Sequence, residues 1–273
     1  MSFEYFDSHS HLNLEDFESD KEEVIKKMRT EKVGTLTVGT SLKTSKEAVR
    51  LAKENENLFA CIGLHPNEVG NEIFNKEDYE KLLDEKTICV GECGLDYFRS
   101  SNKIEQEIEF KKQIEFALEN DLPLMLHIRP KKGSLPASTR DGEPTQGADA
   151  YEDTLSILKD YKKLAGEKLR GQAHFFAGNK EIADRFLELG FYISFTGVVT
   201  FTHEYDEVIK HIPSDKILME TDSPFVAPVP HRGHRCEPQY VIEVYKKIAQ
   251  LKDISLIDFT NQIRQNLRDL YKI

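Results

Sequence analysis

Eight short apolar runs, each followed by a segment of a different rhythm, constrain this 273-residue chain more than any other feature. The runs cover residues 3–9, 34–39, 58–63, 87–92, 122–127, 170–175, 191–195 and 216–222. Several are continuous, as in Ile88-Cys89-Val90 and Leu124-Met125-Leu126. That pattern suits strands of a parallel sheet covered on both faces. Helical spacing fills the intervals at 20–31, 44–55, 104–120, 153–165, 180–189 and 204–211. The clearest case is Phe110, Ile114, Ala117 and Leu118, and Gly190 stands where a helix would be capped. Two further helical patterns, 239–251 and 255–271, follow the last run. Eight strand-then-helix units predict an α/β protein, a single-domain (β/α)8 TIM barrel over residues 1–273. The rival is an open doubly wound sheet.

Six residues decide between them. His9, His11, Glu92, His127, His174 and Asp222 are all metal-binding types, and all sit at or just past the end of an apolar run. In an extended segment side chains alternate, so Asp7, His9 and His11 are expected on one face. In a closed barrel the ends of strands one, four, five, six and eight meet at one mouth. In an open sheet strands one and eight lie too far apart to share an ion. Six ligands exceed what one four-coordinate ion needs, which predicts two divalent ions. Glu92 is the expected bridge, with His9, His11 and Asp222 on one ion and His127 and His174 on the other. Two such ions about 3.5–4 Å apart can activate water and stabilise a displacement at phosphorus. Imidazole suits zinc, iron, manganese or nickel, and carboxylate also suits magnesium, so the set does not select a metal.

Charge and cysteine usage narrow the surroundings. The net charge of -11 argues against charge-driven coating of nucleic acid, but not against a catalytic encounter with it. Cys61, Cys89, Cys93 and Cys236 form no disulfide framework in a chain of this size, and no second Cys/His pair makes a zinc finger. They read as small buried apolar residues. Cys93 has only its proximity to Glu92 to recommend it as a nucleophile. No apolar run is long enough to span a membrane. Met1-Ser2-Phe3-Glu4-Tyr5 lacks the basic and apolar parts of a secretory signal, so a cytoplasmic location is expected. No stable protein partner is expected.

Around the six residues stand secondary candidates. His65 ends the third run and is expected to meet substrate or a ligand. Asp96 is close enough in sequence to Glu92 to fix its loop, and Glu220 is expected to orient a metal-bound imidazole. Arg129, Arg232 and Arg235 lie in segments leaving the same mouth, and guanidinium pairs well with phosphate. Residues 129–150 have no apolar periodicity and are rich in Gly, Pro, Ser, Thr and charge. They are expected to form a mobile lid or substrate loop at the mouth. The chain has no Walker P-loop, no Gly-x-Ser-x-Gly elbow, and no Gly-x-Gly-x-x-Gly after the first run.

The ordered motifs resemble the TatD family of metal-dependent deoxyribonucleases, within the amidohydrolase-like barrels. They are Asp7-Ser8-His9-Ser10-His11, Gly63-Leu64-His65-Pro66, the stretch from Gly91 to Tyr97, and Leu126-His127-Ile128-Arg129. The stretches from Ala173 to Gly178, Glu220 to Pro224 and Arg232 to Pro238, with Asn266, complete the set. The resemblance implies a (β/α)8 barrel that hydrolyses DNA phosphodiesters with magnesium, manganese or zinc, often from a strand end. It carries ligand roles onto His9, His11, Glu92, His127, His174 and Asp222. Relatives in the wider superfamily bridge their metals with a modified lysine on strand four, where this chain has Glu92. Two departures are Cys236, where the family commonly carries Asn, and a 129–150 segment longer than in compact members.

The expected activity is therefore hydrolysis of DNA by metal-activated water, with Asp222 both ligand and proton acceptor and Glu92 essential. The first alternative keeps the metals and changes the bond, to an amide, lactone or ester such as an aminoacyl ester on tRNA. The second is a barrel turned binding protein. Loss of a ligand would mark it, and none is missing.

Overall fold

The computed structural model describes residues 3–131 and 149–273. From the N-terminus it contains β1 (Tyr5–Ser10), α1 (Lys21–Thr30), β2 (Val33–Val38), α2 (Leu42–Glu54), β3 (Leu58–Ile62) and α3 (Lys76–Glu80). There follow β4 (Thr87–Asp96), α4 (Lys103–Glu119), β5 (Leu124–Arg129), α5 (Asp149–Ala165), β6 (Gly171–Ala173) and α6 (Lys180–Glu188). The chain ends with β7 (Tyr192–Phe195), α7 (Asp206–His211), β8 (Ile217–Met219), α8 (Val241–Leu251) and α9 (Leu256–Tyr271). Each strand pairs in parallel with the next, in the order β1 to β8. All residues of β2 and all of β4 are buried, as strands covered on both faces must be.

The seam between β8 and β1 closes the barrel through side chains as well as backbone. The Asp222 N–H donates to the His9 carbonyl (2.9 Å) and the His11 N–H to the Ser223 carbonyl (2.8 Å). The Asp7 carboxylate accepts from the Thr221 N–H (2.9 Å) and the Thr221 hydroxyl (2.6 Å). This corrects the simple alternation expected for β1. Pairing with β2 slips between Asp7 and Ser10, so Asp7 turns to the seam while His9 and His11 converge. An extra residue in one strand re-aims the side chains beyond it.

The other differences from the expected elements are local. β4 runs on to Asp96 rather than stopping at 92, whereas β6 and β8 end before His174 and Asp222. α3 was not expected, because five residues are too few to show a helical period. Its buried Tyr79 donates its hydroxyl proton to the Gly63 carbonyl (3.0 Å), tying α3 to the end of β3. Of the expected mouth loop, residues 132–148 lie outside the described residues; Arg129 closes β5 and Asp149 opens α5. Among the described residues no helix is long and apolar enough to cross a membrane.

Candidate metal centre

The six expected ligands meet at the C-terminal mouth of the barrel. His9 Nε2 and His11 Nε2 are 3.1 Å apart. Each lies near Glu92 Oε2 (3.5 and 3.6 Å) and near Asp222 Oδ1 (3.6 and 3.5 Å). Ligands about 2.1 Å from a tetrahedral ion would stand about 3.4 Å apart. The atoms of His9, His11 and Glu92 have about that spacing, and Asp222 Oδ1 keeps it to both imidazoles. Tautomer chemistry agrees. His11 Nδ1 lies 2.9 Å from the Val38 carbonyl, which can only accept, so Nδ1 carries the proton and Nε2 is left with a lone pair.

The second oxygen of Glu92 faces a different set. Oε1 is 2.6 Å from His127 Nδ1, 3.2 Å from His174 Nε2 and 3.5 Å from His65 Nε2. One carboxylate thus divides its two oxygens between two groups of imidazoles. β4 makes this possible by bulging between Val90 and Cys93. Gly94, at φ +136°, would put a Cβ 2.2 Å from the His127 carbonyl oxygen, so no other residue fits there without displacing β5.

His65 differs from the other imidazoles. Its Nδ1 accepts a hydrogen bond from the Asn67 N–H (3.0 Å), so a neutral ring carries its proton on Nε2 and offers a donor, not a lone pair. Among the described residues three trios have ligand spacing: His9 with His11 and Glu92, His9 with His174 and Glu220, and His65 with Glu92 and His127. The tautomer argument favours the first over the last.

Supporting carboxylates hold the rings. His174 Nδ1 lies 3.3 Å from Glu220 Oε1. Glu220 itself accepts from the Phe175 N–H (2.6 Å), the Ser194 hydroxyl (2.8 Å) and Gln172 Nε2 (3.0 Å). Gln172 is braced from the last helix by the Tyr271 hydroxyl, 2.7 Å away. Sequence reasoning found Glu220 but missed Gln172, Ser194 and Tyr271. Their signal was present: polar Gln172 and Ser194 interrupt apolar runs. Asp96 Oδ2 lies 3.3 Å from His127 Nε2, and Asp96 Oδ1 accepts from the Phe98 and Arg99 N–H groups (2.9 Å each). Asn266, buried, donates to the Ser214 and Ile217 carbonyls (2.8 and 2.9 Å) and fixes the start of β8.

Electrostatics sort the cluster into charged and neutral members. Burial would raise Glu92, but the charges of His65, His174 and His9, with the His127 hydrogen bond, hold it well below the usual carboxylate range. Burial would raise Asp222 too, yet the His11 hydrogen bond and neighbouring imidazoles leave it lowered. Burial pulls His174 down, but Glu220 and Glu92 carry it well above the usual histidine value. For His65 burial prevails, aided by His127, and brings it to about 4. Asp222 and His127 are the candidate ligand side chains most open at the mouth, 14% and 16% exposed, whereas His9 is fully enclosed.

The arginines part company. Arg129 stacks on Phe98 (4.2 Å to the ring centre) and Arg232 on Phe201 (3.8 Å), both at the mouth. Arg235 is already engaged. It makes a two-pronged pair with Asp20 (2.8 and 2.6 Å), reaches Glu237 at 3.2 Å and donates to the Asp16 carbonyl (2.7 Å). These partners occupy the guanidinium that the sequence pattern offered to phosphate. Cys93 is fully buried, with burial raising its thiol well above the usual range, so it offers no nucleophile.

Fold and site together define a closed parallel barrel with a shared-carboxylate cluster of imidazoles at its mouth. This chain belongs to the TatD-related DNase family, whose model matches residues 6–272. A Bacillus subtilis protein named uncharacterized metal-dependent hydrolase YabD is 36% identical, the match covering 98% of this chain and 99% of that one. The Escherichia coli protein named uncharacterized metal-dependent hydrolase YcfH is 33% identical, over 98% and 95%. The crystal structure of YJJV, a TatD homolog from Escherichia coli, superposes with a TM-score of 0.85 at 23% identity over the full length of both chains. At that identity the likeness speaks for the fold.

Proposed function

We propose that this chain is a divalent-metal-dependent hydrolase that cleaves DNA phosphodiester bonds with water. The observation that carries the reading is the division of the Glu92 carboxylate, with Oε2 toward His9 and His11 and Oε1 toward His127 and His174. His9, His11, Glu92 and Asp222 would hold one ion, and Glu92, His127 and His174 the other. Two bound ions supply Lewis acidity that activates water and offsets charge on the phosphoryl group. The relatives' names as metal-dependent hydrolases support that chemistry, and the family's name supports the bond. Four imidazoles with two carboxylates suit zinc or manganese and still admit magnesium.

The chain's own residues divide the remaining work. Asp222 Oδ1 faces His9 and His11, which leaves Oδ2 to take the proton from the attacking water. His65 Nε2–H, beside Glu92 Oε1, would donate to a phosphoryl oxygen. Arg129 and Arg232 would meet phosphate charge, since a guanidinium stacked on a ring keeps its N–H groups in the plane of its own fork.

Metal-titrated digestion of end-labelled single- and double-stranded DNA, run beside a panel of small esters and an aminoacyl ester, tests the reading. Cleavage of DNA that needs added zinc, manganese or magnesium is expected. Ester turnover without DNA cleavage under any of the metals would replace it with the carboxyl-ester alternative.

A further inference from the structure

The large apolar side chains left exposed in the described residues include three phenylalanines, Phe98, Phe201 and Phe225, at 43%, 43% and 49%. All three follow the C-terminal ends of strands, β4, β7 and β8, and so stand on the mouth. Phe98 is fixed by its N–H to Asp96, whose other oxygen reaches His127. Phe225 is fixed by its N–H to the Asp222 carbonyl (2.9 Å), and its ring centre is 6.3 Å from that of His11. Backbone hydrogen bonds thus anchor Phe98 beside Asp96, the partner of His127, and Phe225 beside Asp222. The loop of Phe201 meets the loop after β8 where the Val229 N–H donates to Thr200 Oγ1 (2.9 Å).

An exposed phenylalanine beside a reaction centre keeps apolar area in water unless something covers it. Here Arg129 and Arg232 stack on two of the rings, which gives cationic edges next to flat apolar faces. That pairing of charge for a backbone and rings for π-faces is what a single strand of nucleic acid presents a need for. A base inside a duplex has both faces occupied by its neighbours, so only an unpaired base can use such rings.

We propose that Phe98, and Phe225 with Phe201, are stacking platforms for unpaired bases flanking the scissile phosphodiester. The inference rests on the phosphodiesterase reading above and adds to it the subsites that hold the strand. Base stacking on an aromatic ring contributes about 1–3 kcal/mol, roughly a 5- to 150-fold effect on binding.

The test compares two end-labelled single strands, one intact and one with abasic residues on either side of the cleaved bond. Wild-type protein is expected to show a KM about 5- to 150-fold lower for the intact strand. Phe225→Ala, Phe201→Ala and Phe98→Ala are each expected to shrink that ratio, and the triple variant to bring it near one. Phe→Tyr at each position keeps a π-face and is expected to restore it. Equal KM for both strands with wild-type protein, or a preference that survives in the triple variant, overturns the platform and leaves the phosphodiesterase reading standing. Failure of wild-type protein to cut either strand with any divalent ion overturns the phosphodiesterase reading, and the platform falls with it.

Discussion

Glu92 and Asp222 carry opposite kinds of dependence on their surroundings. Glu92 stands within 3.6 Å of five imidazoles, His9, His11, His65, His127 and His174, which it reaches with both of its oxygens. Asp222 stands at the open edge with a left-handed backbone (φ 56°), a strained setting that an aspartate tolerates better than most residues. Asp222→Asn keeps the shape and removes the proton acceptor, so kcat is expected to fall by about 10²- to 10⁴-fold with the circular dichroism spectrum unchanged. Retention of wild-type turnover would remove Asp222 from its role. The histidines give a second prediction. His174 and His127 are both raised: burial opposes, but Glu220 and Glu92 outweigh it for His174, and Asp96 and Glu92 for His127. In the metal-free protein these rings therefore keep protons above the ordinary histidine range, and an ion must displace them. Metal affinity should rise with pH through and above about 6.5, with proton release seen by calorimetry in two buffers of different ionisation enthalpy. Affinity independent of pH would contradict the ligand assignment.

Strands and loops show where sequence patterns are sufficient and where they stop. Every expected strand exists, since a continuous apolar run between polar helices has few other places to go. The ends of β4, β6 and β8 were not legible, because a bulge or an early strand end is decided by glycine geometry and cross-strand pairing rather than by hydropathy. The two-pronged engagement of Arg235 with Asp20 was equally hidden, as that acid comes from distant sequence. Gly94 states the point as a prediction. Gly94→Ala forces a Cβ to within 2.2 Å of the His127 carbonyl oxygen at φ +136°. It is expected to destabilise the protein by about 2 kcal/mol or more in urea denaturation, from backbone strain together with the clash. It should also weaken metal binding, because the same backbone sets Glu92 and His127. A variant with wild-type stability would mean that β4 and β5 separate more easily than the contact implies.

At the scale of the molecule, β1 and the segment after β8 bring His9, His11 and Asp222 together at the barrel's closing seam. Asp7→Ala would leave the buried Thr221 N–H and hydroxyl without their acceptor, at a cost of about 2–4 kcal/mol. Its thermal midpoint should drop by several degrees, and its affinity for the first ion should drop with it. An unchanged midpoint would show that the backbone hydrogen bonds alone close the barrel. Metal binding in turn should stabilise the wild-type fold, by about 2.7 kcal/mol at a hundredfold excess over Kd, and a chelator should reverse it. No change in midpoint on adding zinc or manganese would argue against a folded-state ion site.

By itself the sequence determined the alternation of eight strands with helices and the identity of the six residues at the mouth. Both are written in local order, as apolar rhythm and as residue type at the ends of runs. Only the tertiary structure decided that the Glu92 oxygens face separate sets of imidazoles, that His65 is a donor, that Asp7 seals the seam and Arg235 serves a surface pair. It also left the rings of Phe98, Phe201 and Phe225 exposed. The reason is physical: which atom of a side chain faces which partner depends on bulges, tautomers and long-range neighbours, and none of these has a period in the chain.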